Sequence, residues 1–182
     1  RALLNQPSVN FLRDEVFAKH WHDETWHEVL RLIAGIDDQV PPEHVALLID
    51  FLLEQQDRDF KFHHVFLAAQ CYQEVRNPKL IPYSRRQLLE ALTKLLRFDL
   101  PYFYYEWDFE ETQKRNLIRT KAVGALAHAL LPENPAAWLK VSATQDASPS
   151  VREAAVRELV RGWKDDPDTL PWLKSHTTQD DN

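Results

Sequence analysis

The sequence predicts an all-α fold, and within that class an α-solenoid: about nine helices in antiparallel hairpins, stacked as a right-handed superhelix. Apolar residues recur at spacings of three and four throughout, with no sustained period-two alternation of strand composition. Only three glycines occur in 182 residues, and Leu, Glu, Ala and Arg dominate the periodic segments. The chain also echoes itself. Trp138-Leu139-Lys140 followed by Thr144-Gln145-Asp146 returns 34 residues later as Trp172-Leu173-Lys174 and Thr178-Gln179-Asp180. Ile118-Arg119-x-x-Ala122-Val123-x-x-Leu126 returns 33 residues later as Val151-Arg152-x-x-Ala155-Val156-x-x-Leu159. Self-similarity at such a period marks a repeat architecture, in which neighbouring hairpins bury each other's apolar faces.

The elements follow in order. The first helix starts after Pro7-Ser8 and carries Phe11, Leu12, Val16 and Phe17. Asp23 reads as the N-cap of a second, with Glu24 in its first turn where a negative charge suits the helix dipole. That helix is expected to bury Trp26, Val29, Leu30 and Ile33 and to end at Gly35 as a C′ residue. Pro41-Pro42 open a third helix with the stripe Val45, Leu48 and Leu52. Asp59 is expected to cap a fourth, bearing Phe62, Phe66, Ala69 and Val75 and ended by Asn77-Pro78. Ser84-x-x-Gln87 reads as a capping box for a fifth through Leu88, Leu92, Leu95 and Leu96.

A non-periodic, aromatic-rich insertion at about 99–110 comes next, then a long helix to about Leu131. Shorter helices follow near 135–143 and 149–163, the latter with Ser148 as N-cap and Pro149 at N1, and a last one after Pro167-Asp168. In alternation these give A helices at 9–19, 42–56, 84–98, 135–143 and 169–177, and B helices at 24–35, 60–75, 110–131 and 149–163. The whole of 1–182 is expected to be one repeat domain of about four and a half repeats.

The bulk numbers exclude several classes. A net charge of −6 argues against nucleic acid as a partner, because such proteins carry a basic footprint. The single cysteine, Cys71, permits no internal disulfide framework and suits a reducing, cytoplasmic setting. No apolar run approaches bilayer-spanning length, and no secretory signal opens the chain, so no membrane partner is expected. The chain begins at Arg1 and contains no methionine, which reads as a fragment of a longer protein.

Alternating helices, with an Ile/Val-Arg pair opening each B helix and an Asp before it, resemble HEAT repeats. In that family the Asp and Arg form a ladder between neighbouring repeats. The resemblance places Arg119, Asp146, Arg152 and Asp180 on such a structural ladder. His20-Trp21-x-x-Glu24-x-Trp26-His27-Glu28-Val29-Leu30-Arg31-Leu32-Ile33-Ala34-Gly35 is similar to the helical region after the ATPase core of bacterial NACHT-type STAND proteins. Leu67-Ala68-Ala69-Gln70-Cys71-Tyr72-Gln73-Glu74-Val75-x-Asn77 resembles the next block of that region. Residues 155–167 resemble HEAT repeats appended to such proteins, cyanobacterial ones especially. The resemblance implies a non-catalytic sensor or scaffold module of a nucleotide-operated signalling NTPase, partnered by another protein or by the ATPase core of its own parent. No G-x-x-x-x-G-K-[ST] phosphate loop occurs, so no nucleotide chemistry carries over and no cofactor is expected.

Other constellations have plain structural explanations. His20, His22, Asp23, Glu24 and His27 could supply metal ligands. However, position 31 is Arg rather than the second histidine of a zincin motif, and surface or core histidines explain the cluster. His63 and His64 are adjacent on a helix and point about 100° apart. Cys71, on a face with Ala68 and Val75, reads as a small buried hydrophobe rather than a nucleophile. The acidic pairs Asp37-Asp38, Glu110-Glu111 and Asp165-Asp166 suit turns and helix starts.

Six of the eight residues 102–109 are aromatic, more than one helix face can turn into one core. They either plug an inter-repeat gap or form a contact site, with Tyr102, Tyr104, Tyr105 and Trp107 as anchors. Glu106, Asp108, Glu110 and Glu111 beside them would repel a phosphate backbone. Two further readings stay open on the same scaffold: an enzyme of the bilin lyase or DNA-alkylation glycosylase type, or a plain assembly adaptor.

Overall fold

The computed structural model describes residues 8–36, 41–56, 61–98, 109–129 and 135–177, with the backbone alone for 109–111 and 176–177. Among these residues the chain is all-helical, with no strand. It divides into two compact units, Arg1–Leu100 and Pro101–Asn182, and the boundary falls inside the aromatic segment.

Five helices build the first unit. Helix α1 covers residues 9–20; the Ser8 hydroxyl caps it by accepting the Phe11 N–H at 3.1 Å. Its middle, Leu12–Phe17, is wound as a π-helix, with Ala18 N–H reaching back to the Arg13 carbonyl. Helix α2 covers residues 24–34 and begins with one 3₁₀ turn, Glu24–Trp26. Asp23 caps it, accepting from Thr25 N–H at 3.0 Å and from the Thr25 hydroxyl at 2.7 Å. Helices α3 (Pro42–Leu53), α4 (His63–Gln73) and α5 (Pro82–Arg97) complete the unit. Packing links α3 to α4 and α4 to α5, and also the alternate helices α1 to α3, α3 to α5 and α2 to α4. That is a two-layer arrangement, with α1, α3 and α5 in one layer and α2 and α4 in the other. Between the layers lies a core of Phe17, Leu30, Leu48, Ile49, Leu52, Leu67, Ala68, Cys71, Leu88 and Leu92.

The second unit holds α6 (Phe109–Ala129), α7 (Ala136–Gln145), α8 (Pro149–Trp163) and α9 (Thr169–Thr177). Here α8 packs against α7, α6 and α9. The residues that recur in the sequence are the ones that fill the core. Ile118, Ala122 and Leu126 on α6 are buried, and so are their counterparts Val151, Ala155 and Leu159 on α8; Leu139 of α7 is fully buried too.

Several expectations are corrected. The second helix turns Leu30 and Ala34 inward, but Val29 is 43% exposed and Trp26 and Ile33 are only half-buried. Gly35 has φ −91°, so left-handed geometry is not its role. A Cβ there would lie 2.8 Å from Glu74 Oε2 and 3.2 Å from Glu74 Cβ, so the absent side chain lets α4's end approach. Ser84 does not cap α5. The helix starts two residues earlier at Pro82, and Ser84 is buried within its first turn. Its hydroxyl hydrogen-bonds the Asp50 carboxyl on α3, while burial pushes that carboxyl's pKa upward. Asp59 lies outside the described residues; α4 begins at His63, preceded by Phe62 in the left-handed region at φ 55°.

Candidate functional site

The aromatic anchors Tyr102, Tyr104, Tyr105 and Trp107 lie outside the described residues, as does Asp180. The described surfaces are built on the ties between parallel helices.

In the second unit the Arg119 guanidinium, on α6, donates from Nη2 to Asp146 Oδ2 at 2.6 Å. Both side chains are largely buried, at 11% and 16% exposure. Asp146 sits in the turn between α7 and α8. Its Oδ1 accepts the Ser148 N–H at 2.9 Å, and its backbone carbonyl accepts from Arg152 Nη1 at 2.9 Å. One carboxylate thus fixes the turn, the start of α8 and the flank of α6. Ser148 occupies the N-cap position with Pro149 at N1, but its hydroxyl donates to Asn116 Oδ1 on α6 at 2.9 Å instead of capping its own helix.

Further along the same seam, Arg161 Nη2 of α8 lies 2.5 Å from His128 Nε2 of α6. Glu158 Oε2 stands 3.9 Å from the same nitrogen. The N-terminal half of α6 meets the residues just before α8, and its C-terminal end meets Arg161 near the end of α8, so the two helices run parallel. Asn116 to Ser148 spans 32 residues and His128 to Arg161 spans 33. The spatial offset of the helices therefore matches the period of the sequence. Sequence reasoning missed His128, Glu158 and Arg161, although His128 and Arg161 hold equivalent positions when the 33-residue echo is extended past Leu126.

The first unit gathers a different cluster where α2 meets α4. His20 stacks on Trp26 with ring centroids 3.8 Å apart, and His27 Nε2 lies 2.8 Å from the Trp21 carbonyl. The His27 and His63 rings are 5.4 Å apart, and His63 Nε2 lies 3.2 Å from Glu24 Oε1. His64 points elsewhere, edge-on to Trp21 at 5.8 Å. The rings are thus engaged with one another and with backbone. Among the described residues no group of three His, Cys, Asp or Glu is placed to hold a metal ion. At the other end of this seam Arg31 bonds Glu28 on its own helix, with Nη2 2.6 Å from Oε1, and also bonds Glu74 beyond α4. Cys71 is fully buried, and that burial pushes its thiol pKa up to about 12, so it is held as an inert thiol.

Two exposed features could meet a partner. The face of α5 carries Arg85, Arg86, Lys94 and Arg97 around Leu89, with Arg86 5.5 Å over the Tyr83 ring. Val29 and Leu32 on α2, and Ile36 just past its end, are exposed apolar residues. No described helix is long and apolar enough to cross a membrane. Comparison with family models, curated proteins and solved structures returned no match.

Proposed function

We propose that the chain is a non-catalytic binding or scaffold module built as a HEAT-like α-solenoid. The observation that carries this reading is the 33-residue register, which the sequence repeats and which the α6–α8 seam reproduces in space. Alternate-helix packing in each unit supports it, because a stack of hairpins buries its apolar faces in that way. On this reading most buried side chains are stacking surface, and function resides in what the outer faces contact. The aromatic residues Tyr102, Tyr104, Tyr105 and Trp107 are the contacts we assign to a protein partner.

The N-terminal blocks favour a NACHT-type signalling NTPase as the parent, with this region sensing a ligand or restraining the ATPase core by population shift. Sequencing the gene upstream of Arg1 tests that link: a phosphate loop is expected, and its absence removes it. For the contact surface, the ATPase core is supplied in trans. Binding by the chain should be lost on replacing the four aromatics with Ser, while circular dichroism stays unchanged. Retained binding would discard the aromatic surface.

A further inference from the structure

Near the C-terminal end of α6, three polar groups meet across the seam with α8 in an arrangement that depends on one proton. Arg161 is permanently cationic, so its Nη2 donates the 2.5 Å bond, and His128 Nε2 must be the unprotonated acceptor. Glu158 completes the set, with Oε2 3.9 Å from His128 Nε2 and Oε1 3.7 Å from Arg161 Nη1. Its carboxylate is only 13% exposed. Gly124 of α6 faces the same carboxylate: a Cβ built there would stand in ordinary contact, 3.4 Å from Glu158 Oε1. Among the described residues, Glu158 and Arg161 face the imidazole from α8. Arg157, one turn back, is committed to Glu153 at 2.7 Å. On α6 itself the nearest charged residue toward the N-terminus is Lys121, about two turns away.

We propose that His128 is a pH-sensitive clip between the two parallel helices, closed when neutral and opened by protonation. A proton on Nε2 turns the acceptor into a donor and places a second cation beside Arg161. The Arg161 bond is then lost, and the imidazolium turns to Glu158, displacing Arg161 from that carboxylate. The Arg119–Asp146 tie, about two and a half turns of α6 away, contains no imidazole. Acid therefore loosens one end of the seam and leaves the other fixed, which changes the angle between successive helices.

The direction of the proton linkage agrees. Burial, then Arg161, hold the His128 pKa below its ordinary value, against the opposing pull of Glu158. A group with a lowered folded pKa contributes stability that is present above its unfolded pKa, about 6.5, and is lost as pH falls.

The test is hydrogen exchange on the whole 182-residue chain at pH 7.5 and 5.5, corrected for intrinsic rates, beside the His128→Gln and Arg161→Gln variants. In the wild type, amides of 125–129 and 158–162 should open several-fold more at pH 5.5, while those of 116–120 change little. His128→Gln offers a neutral acceptor at both pH values and should flatten that ratio. Arg161→Gln should be open at both. An unchanged pH ratio in His128→Gln, or an NMR tautomer of His128 carrying its proton on Nε2 at pH 7.5, would overturn the clip. A purely structural role would shift both pH values equally, and that outcome also counts against it.

Discussion

Helices α2 and α4 meet through His27 against His63, Glu24 against His63 and Arg31 against Glu74, while α6 and α8 meet through Asn116–Ser148, Arg119–Asp146 and His128–Arg161. Each is a pair of helices adjacent in space but separated by one helix in sequence, within its own unit. In the first, the sequence separation of partners drifts from 36 residues (His27 to His63) to 43 (Arg31 to Glu74). In the second, Asn116 to Ser148 and His128 to Arg161 span 32 and 33 residues, while Arg119 reaches only 27 residues on, to Asp146 in the turn before α8. Where the separation matches the 33-residue echo, the paired residues occupy echoed positions, and such recurrence is what makes the similarity visible in sequence. The drifting pair lacks that match. It is closed instead by imidazole rings and by a salt bridge at the margin, and those partners leave no echo in the sequence.

The largest effect should come from matched core truncations. Leu48 in α3 and Leu159 in α8 are both fully buried leucines. Leu→Ala at either should cost about 3 kcal/mol, the lost transfer energy plus the cavity left behind. In hydrogen exchange, Leu159→Ala should strip protection from α6–α8 and Leu48→Ala from α3–α5. Protection lost evenly over all helices in both variants would erase the division into two units.

A second pair of variants separates the ties themselves. Arg119→Ala leaves the largely buried Asp146 carboxylate without its guanidinium partner, and should destabilise by about 2 kcal/mol in urea titration. Arg31→Ala removes a pair whose side chains are 31% and 28% exposed, where solvent screens the charges. Its cost should stay under about 1 kcal/mol. Equal costs would mean that the regular seam has no energetic advantage over the irregular one. A double-mutant cycle of Arg119→Ala with Asp146→Ala isolates the coupling.

Gly35→Ala probes the irregular seam from the backbone side. The new methyl meets Glu74, which must swing away and release Arg31. A loss of about 1–2 kcal/mol is expected. In the background of Arg31→Ala most of that loss should vanish, because Glu74 is then free to move. A full additive cost would place the clash on the main chain of α4 rather than on the Glu74 side chain.

How much of this was legible depends on the range of the interaction involved. Local signals served well: Asp23, Ser148-Pro149 and Pro41-Pro42 mark helix starts because caps and proline act within one turn. Ser84 misled because a serine followed three residues later by glutamine has the form of a capping box. Here a proline two residues before it had already opened the helix, and the hydroxyl serves Asp50 on another element. The stacking of His20 on Trp26 and the convergence of His27 with His63 left no local trace, since neither follows a helical or repeat period. His128 with Arg161 was readable in principle, from the echo alone.

The smallest effect tests the same comparison at its quietest position. Gly162 lies in the last turns of α8, at ordinary helical φ, and a Cβ built there meets nothing within 4 Å. Alanine should therefore stabilise the chain by about 0.5–1 kcal/mol, through lower backbone entropy in the unfolded state and better helix propensity. The change is opposite in sign to Gly35→Ala although the chemistry is identical. That sign reversal, read as urea midpoints of the two single variants, isolates the neighbour as the cause: Glu74 stands against one glycine and open space against the other. Should Gly162→Ala destabilise, residue 162 meets a close neighbour after all, and the contrast with Gly35 no longer rests on Glu74.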